Sequence, residues 1–297
     1  MHVVHAVVVD AAGDIQQAWG EPERLVHPRS AVKPLQALPL VETGAADAFG
    51  CSDEELALAC SSHNGEPGHV ESVEAWLARI GYSHEDLECG VEASRGPTSA
   101  RNNCSGKHVG FLTVARHLGV DPAGYIRPDH PVQQLVTQAL AETAGETIDP
   151  DRSGIDGCGI PIHPVPLRAL ALAASRFGSP GGYWTDERGA AVRRLANAMT
   201  VHPWLVAGTG RLPTDLMAAA GGDLVVKDGA EGVQFAALPG RGLGIAVKAL
   251  DGHVPASEIV LGHVLAEVEG FDRDDVFGPR RRIENHAGTH VADLIVT

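Results

Sequence analysis

The chain has 297 residues, 44% of them hydrophobic, and its 38 Asp and Glu against 23 Lys and Arg give a net charge of −15. A chain of this length can bury a sizeable core without disulfides, and its acidity disfavours nucleic-acid binding, which needs clustered basic surface. No window approaches the roughly 18 apolar residues of a membrane span, and the N-terminus lacks the basic region of a signal peptide, so the five cysteines predict free thiols in a cytoplasmic protein.

The first half of the chain predicts a strand hairpin followed mainly by helices. The β-branched run Val3–Val9 and residues 15–19, separated by a turn, predict two strands. The helices predicted in this half are 34–42, 53–59, 70–80, 109–118 and 131–144. Ser52 is the expected N-cap of the second of these helices, and Pro39 is expected to kink the first. The polar, glycine-bearing stretch 90–108 predicts a loop.

In the second half the pattern changes from helical to strand-like. Residues 153–166, rich in Gly and Pro, predict another long loop. The elements predicted after it are helices 168–177 and 187–199, a β-meander of 223–227, 233–238 and 243–250, helix 257–269 and a last strand 290–297. Strands near both termini with helices between them predict an antiparallel sheet formed from the two ends of the chain and packed with helices. This is an α+β fold, expected as a single domain over residues 1–297.

The basic residues are strongly biased towards arginine. Only four of the 23 are lysines, namely Lys33, Lys107, Lys227 and Lys248. Arg keeps its proton at any physiological pH, whereas a buried Lys can lose it and act as a base or a ligand. Chance is the alternative explanation, but the four lysines are candidates for positions where arginine cannot substitute.

Three short motifs, each occurring once, favour a hydrolase that uses serine and lysine. They are S-x-x-K at Ser30–Lys33, S-x-N at Ser62–Asn64 and K-x-G at Lys227–Gly229. Ser30 and Lys33 would share one face at the start of a helix, where a neutral amine could take the hydroxyl proton. This motif order is that of the β-lactamase and penicillin-binding amidohydrolases. Taken singly, the motifs are equally compatible with surface residues.

Two further segments carry cysteines. The stretch Asn102–His108 resembles a phosphate-binding P-loop, but Arg101 stands where that loop needs glycine and a histidine follows the lysine, which excludes it. Cys104, Lys107 and His108 are expected in a loop before a helix, and Cys158 in a second loop, Asp156–Gly159. Two loop thiolates can bind zinc. Because the usual C-x-x-C pairs are absent, two small buried thiols remain the alternative.

Together these segments resemble the L-asparaginase II family. The matching stretches are Pro28–Pro34, Ser62–Glu66, Asn103–His108, Asp129–Gln133, Asp156–Gly159 and Lys227–Gly232. The resemblance implies a serine β-lactamase/glutaminase-like fold, a homodimer, and hydrolysis of L-asparagine to L-aspartate and ammonia. Some members carry a further cysteine before the last strands, and here residues 211–215 contain none.

The resemblance also implies roles for individual residues. It pairs the catalytic residues as two Ser–Lys tandems, Ser30 with Lys33 and Ser62 with Lys227. It makes Cys104, Lys107 and Cys158 the ligands of a zinc ion beside the substrate pocket, with Asp156 close by. The candidates for substrate binding are Arg29, Glu66, Asn103 and His108, of which Arg29 and His108 would hold the charged ends of the substrate.

The mechanism expected from these roles has Ser30 attack the side-chain amide with Lys33 as general base. Ser62 and Lys227 would relay a proton to the leaving ammonia, and water would hydrolyse the acyl-enzyme. Two alternatives stay open: another Ser/Lys amidohydrolase or esterase of the penicillin-interacting type, and a catalytically idle amino-acid-binding protein. Lys248 lies outside every motif, so arginine is expected to be tolerated there.

Overall fold

The computed structural model describes residues 1–179 and 183–297. Its helices are α1 (Lys33–Gln36), α2 (Leu38–Glu42), α3 (Ala45–Ala48), α4 (Asp53–Ala59), α5 (Pro67–Arg79), α6 (Ser105–Leu118), α7 (Pro131–Ala144), α8 (Leu167–Gly178), α9 (Asp186–Val201), α10 (Pro203–Val206), α11 (Leu212–Ala220), α12 (Val254–Glu269) and α13 (Asp274–Arg281). Its strands are β1 (Val4–Asp10), β2 (Ile15–Trp19), β3 (Leu25–Val26), β4 (Gly154–Ile155), β5 (Pro161–Ile162), β6 (Val165–Pro166), β7 (Val225–Gly229), β8 (Val233–Leu238), β9 (Leu243–Ala249), β10 (Arg282–Glu284) and β11 (His290–Asp293).

The main sheet joins the N-terminal hairpin to the late β-meander. Its strand order is β2-β1-β9-β8-β7, and every pairing in it is antiparallel. Val7 and Val8 are both fully buried although neighbouring side chains on a strand point to opposite faces, so both faces of the sheet are covered. Helices α8 and α12 contact these central strands. The predicted α+β fold, with a sheet formed from both ends of the chain, is confirmed.

The predicted helix 34–42 is divided into α1 and α2. A 3₁₀ turn, Arg29–Val32, leads into α1. Pro39 has no N–H to donate to the carbonyl four residues earlier, so it cannot continue α1. The N–H of Leu40 bonds instead to the carbonyl of Ala37 at 3.1 Å. The kink expected at Pro39 is therefore a break between two short helices, and it leaves Ser30 and Lys33 close to the N-terminal end of α1.

The end of the predicted loop 90–108 is helical. Helix α6 begins at Ser105, so Lys107 and His108 lie in its first turn and Cys104 is its N-cap. Gly106 lies in the stretch expected to be a loop, but in the structure it allows two helices to approach closely. A Cβ atom at this position would lie 2.3 Å from the carbonyl oxygen of Leu58. Glycine lets α6 cross the end of α4, and this crossing brings Lys107 towards the cysteines.

Two other expectations about connecting segments differ from the structure. The loop 153–166 contains the short strands β4, β5 and β6, and β6 pairs with β3. The predicted last strand is β11, which pairs with β10 in a separate hairpin and does not join the main sheet. Within residues 1–179 and 183–297, no helix is both long enough and apolar enough to cross a membrane.

Candidate active site

The K-x-G motif and the S-x-x-K motif meet where strand β7 ends. A Cβ atom on Gly229 would lie 2.6 Å from the carbonyl oxygen of Pro28 and 3.0 Å from the backbone nitrogen of Ala31. Only glycine allows this approach, since any side chain would push the 3₁₀ turn of Ser30 away from the strand. The strand thereby brings Lys227 to the turn that carries Ser30.

Lys33 is fully buried, and its amine joins three segments of the chain. Nζ donates to the carbonyl of Ser61 at 2.5 Å and to that of Asn103 at 3.2 Å, and it lies 3.0 Å from Ser62 Oγ. Burial lowers the pKa of Lys33, and the nearby charge of Lys107 lowers it further. The two carbonyls can only accept hydrogen bonds. A neutral amine therefore satisfies this site by donating to both of them and accepting the proton of the Ser62 hydroxyl.

The two serines differ in access. Ser30 lines a cleft of about 310 Å³, whereas Ser62 is 4% exposed and is not part of the cleft wall. A cleft of this volume is at the small end of ligand sites, suited to a molecule of amino-acid size. In the part of the chain that the structure describes, the Ser30 hydroxyl makes no hydrogen bond. Lys33 thus contacts the buried Ser62, whereas Ser30 lies on the wall of the cleft.

Lys227 is paired with a residue that the sequence interpretation missed. Its buried amine donates to the carbonyl of Asp228 at 2.7 Å and to Asp228 Oδ1 at 2.6 Å. Burial lowers the pKa of Lys227 to about 8. Burial alone would raise the pKa of Asp228, but Lys227 and Arg211 hold it well below its ordinary value. The implied tandem of Ser62 with Lys227 has no hydrogen bond between its members among the described residues, so it stays a prediction.

Arg211 connects the S-x-N motif to the K-x-G motif. Its guanidinium donates to Asn64 Oδ1 at 3.1 Å and to the carbonyl of Ser62 at 3.4 Å, and it also binds Asp228 Oδ2. This arginine begins the stretch 211–215, which lacks the further cysteine that the resemblance implies for some members before the last strands. The position of Asp228 beside a motif lysine was the signal that could have found it. No local pattern indicated Arg211, because its partners are distant in sequence.

Asp228→Asn is expected to destabilise the protein by about 3–5 kcal/mol, since it leaves Lys227 buried without its counterion. The stabilisation by Asp228 is present above the unfolded pKa of about 4 and is lost as pH falls towards the lower folded value. The matched control is Asp215→Asn. Asp215 also pairs with an arginine, Arg280, but its side chain is 38% exposed, so a loss below about 1 kcal/mol is expected. Urea unfolding at pH 7 and pH 4 measures both variants, and equal losses would contradict the role given to Asp228.

The three residues implied as zinc ligands lie together in the structure. Cys104, Lys107 and Cys158 are all buried, and Lys107 Nζ lies 3.2 Å from Cys158 Sγ. A hydrogen bond between the two cysteines lowers the pKa of Cys104 and raises that of Cys158, and Lys33 and Lys107 further favour the Cys104 thiolate. Burial lowers the pKa of Lys107, but the charges of Cys158 and Cys104 outweigh burial and raise it. The two sulfurs and the amine therefore fit zinc provided that the amine gives up its proton when the ion binds. Within residues 1–179 and 183–297, no group of three His, Cys, Asp and Glu is arranged to hold a metal, so binding here depends on the lysine.

The four candidate substrate-binding residues are divided by the structure. Arg29 and Asn103 line the cleft, together with Asp156. His108 is fully buried with Nδ1 2.7 Å from the Tyr125 hydroxyl, and burial lowers its pKa, so it is a neutral ring away from the cleft wall. The carboxylate of Glu66 binds the backbone N–H and the hydroxyl of Thr209, also away from the wall. The structure therefore brings two of the four to the cleft.

Solved structures show which fold this arrangement belongs to. The crystal structure of Mglu in its native form aligns with a TM-score of 0.52 at 17% identity, covering 89% of this chain and 63% of that chain. A second structure of Mglu aligns with a TM-score of 0.52 at 17% identity, covering 89% and 66%. Mglu in its glutamate form aligns with a TM-score of 0.50 at 16% identity, covering 89% and 60%. The chain thus spans less than two thirds of the length of these proteins.

At such low identity these likenesses show the fold alone, and they confirm the predicted serine β-lactamase/glutaminase-like architecture. Among the curated proteins, none matches the sequence. The family model of L-asparaginase II matches residues 1–294. This match extends over the cleft, the three serine and lysine motifs and the cysteine cluster. The chain belongs to the L-asparaginase II family.

Proposed function

We propose that the protein is an amidohydrolase that converts L-asparagine to L-aspartate and ammonia. The observation that carries this proposal is the accessible Ser30 on the wall of a small cleft, close in sequence to the buried amine of Lys33. Family membership supports the amide chemistry. Mglu has a form with glutamate, which supports an amino acid as the ligand of a cleft in this fold.

The proposed reaction begins with attack of Ser30 Oγ on the side-chain amide carbon of the substrate. Lys33 takes the hydroxyl proton as the oxygen–carbon bond forms. When the carbon–nitrogen bond breaks, the proton passes from Lys33 through the Ser62 hydroxyl, 3.0 Å away, to the leaving nitrogen, which departs as ammonia. Water then attacks the ester, releases L-aspartate and returns a proton to Ser30.

Lys227 serves this scheme as a fixed charge. Its amine is held by Asp228, and burial places its pKa at about 8, so it is largely protonated at neutral pH. The charge of Lys33 lowers the pKa of Lys227, and the same repulsion between like charges in a low-dielectric site disfavours a second cation at Lys33.

The experiment that tests the function is ammonia release from L-asparagine, L-glutamine and a chromogenic lactam, measured in parallel on the purified protein. Release from asparagine above the other two supports the proposal. Lactam hydrolysis alone would establish the penicillin-type alternative, and binding of amino acids without any release would establish the idle binding protein. The homodimer implied by the family is proposed as well, and sedimentation velocity measures it.

We propose further that zinc is held by Cys104, Lys107 and Cys158. When bound, the ion would supply positive charge and order to the cleft wall that contains both cysteines. Ser30 and Lys33 already provide a nucleophile and a base, so the chemistry does not need the metal. The ion would tie the start of α6 to the loop 156–159.

Removal of this zinc is expected to raise the KM for asparagine about tenfold while kcat at saturation changes less than twofold, because the ion orders the cleft and does not react. Cys158→Ser should release the metal with the same kinetic signature. Elemental analysis before and after chelation measures the occupancy. Cys51→Ser is the control, since this buried thiol lies outside the cleft wall. A protein purified without metal yet fully active would contradict the zinc proposal.

A further inference from the structure

Two residues of the described chain combine a side chain with left-handed backbone. Among residues 1–179 and 183–297, the only non-glycine positions with positive φ are Arg29, at 54°, and Glu231, at 62°. This region is uncommon for residues with a Cβ atom, and such conformations cluster at functional sites. Gly232, directly after Glu231, also has positive φ, at 67°, so the turn accepts glycine readily. The backbone conformation by itself therefore favours glycine at position 231, and the glutamate found there needs another explanation.

These two strained residues are partners of one ion pair. Arg29 Nη1 lies 2.5 Å from Glu231 Oε1, and Arg29 Nε lies 2.9 Å from Asp156 Oδ1. The Glu231 side chain is 59% exposed, and ion pairs at such exposure add little stability. Stability therefore does not account for the strained glutamate, whereas a role at the cleft does, because Arg29, Ala230 and Asp156 all line it.

The backbone of Glu231 is fixed from a second side. Lys248 donates a hydrogen bond to the carbonyl of Glu231. Lys248 was expected to lie outside the site, and the structure instead places its amine at this cluster. It is therefore unsuitable as a neutral control for lysine substitutions elsewhere. Asp156 and Glu231 thus hold the Arg29 guanidinium in position directly. Lys248 contributes indirectly, through its hydrogen bond to Glu231.

The arrangement leaves part of the guanidinium available. Glu231 Oε1 lies beside Nη1, and Asp156 Oδ1 lies beside Nε. Nη2 has no partner in the described part of the chain. Its two N–H groups can bind a ligand carboxylate. Asp156 also lines the cleft, and its Oδ1 faces Arg29 and the N–H of Gly157, so Oδ2, which has no partner among the described residues, can accept from a positive group. A free α-amino acid carries both a carboxylate and an ammonium group on one carbon.

We propose that Glu231 is a specificity-determining residue of the cleft. It fixes Arg29, which binds the α-carboxylate of the substrate through Nη2 and holds Asp156 where its carboxylate accepts from the α-ammonium group. The cleft would thereby select free amino acids over compounds blocked at either group. This inference rests on the proposed function for the reaction, but it concerns only the α-carboxylate and α-ammonium groups of the ligand.

The decisive variant is Glu231→Gly, because glycine is at ease in the left-handed region. We expect its melting temperature to be equal to or higher than that of the wild type. We also expect the KM for L-asparagine to rise about tenfold with kcat nearly unchanged, equivalent to the loss of one charge-assisted contact. The preference for L-asparagine over its N-acetyl and α-amide derivatives should fall by a similar factor.

Glu23→Gly is the matched control. Glu23 also pairs with an arginine, Arg168, and its side chain is 67% exposed, but neither residue lines the cleft. This control should keep both KM and the preference. An equal loss of preference in both variants would overturn the assignment, since general charge would then explain it, and an unchanged preference in Glu231→Gly would overturn it as well.

Direct binding separates this inference from the proposed reaction. Calorimetric titration of wild type and Glu231→Gly with L-aspartate measures the affinity for the α-carboxylate and α-ammonium groups without turnover. Weaker binding by the variant supports the role of Glu231 even if the wild type releases no ammonia from asparagine. Equal affinity of the two proteins contradicts that role even if the wild type is an active asparaginase.

Discussion

Ser30→Ala is expected to lower kcat for L-asparagine by about 10⁶-fold, the size of the loss when a serine hydrolase loses its nucleophile. The physical reason is that Ser30 is the serine on the cleft wall, where its oxygen can reach an amide carbon. The substitution removes one hydroxyl that has no hydrogen bond in the described chain, so the fold and the affinity for L-aspartate should be kept. Ammonia release, circular dichroism and calorimetry measure the three quantities.

The comparison variant is Ser62→Ala. Ser62 is buried and lies 3.0 Å from the Lys33 amine, where it passes a proton in the proposed scheme. A proton relay contributes less than a nucleophile, so a loss of about 10²-fold is expected. The reverse order, with Ser62→Ala nearly inactive and Ser30→Ala retaining more than a few per cent of the rate, would make Ser62 the nucleophile activated by Lys33.

Lys33→Met is expected to lower kcat by about 10³-fold, because methionine fills the buried space without providing a base. The carbonyls of Ser61 and Asn103 lose their donor, which should also destabilise the protein by about 1–3 kcal/mol. Lys33→Arg should be similarly inactive, since a guanidinium stays protonated. In the wild type, kcat/KM should rise with pH and level off below pH 10.4, the ordinary lysine pKa, because burial lowers the pKa of Lys33.

Gln36→Met is the control for Lys33→Met. Gln36 is a buried polar residue of the same helix α1, and it lies outside the cleft wall. This variant tests whether the loss of a buried polar group in α1 alone impairs turnover. Near-normal rates for Lys33→Met or Lys33→Arg, measured at saturating substrate, would contradict the assignment of Lys33 as the base.

The sequence by itself determined the elements whose signals are local. The N-cap at Ser52 was readable from the acidic residues that follow it, and in the structure Ser52 forms a capping box with Glu55. The glycine-rich turns of the meander separated strands β7, β8 and β9, because such turns leave few other conformations to the backbone. The rarity of lysine marked all four lysines as functional candidates, and the structure buries Lys33, Lys107 and Lys227 but leaves Lys248 partly exposed.

Tertiary structure alone decided how these residues pair. Lys33 bonds with Ser62, which lies 29 positions away, and Lys227 is held by Asp228 and indirectly by Arg211. The family resemblance implied instead that Ser30 pairs with Lys33 and Ser62 with Lys227. Periodicity reports only which face of an element is apolar, whereas a buried amine takes whichever acceptors the packing brings to it.

The same reason explains two glycines and the strained arginine. Gly106 was expected in a loop and Gly229 was part of the K-x-G motif, yet each is required by the backbone of a distant segment, at Leu58 and at Pro28. Likewise, nothing near Arg29 in sequence indicates its ion pair with Glu231, which is 202 residues away. Contacts between residues so far apart in sequence form when helices and strands pack into one core. The neighbours in space, and not the surrounding sequence, create the space and the acceptors at each position.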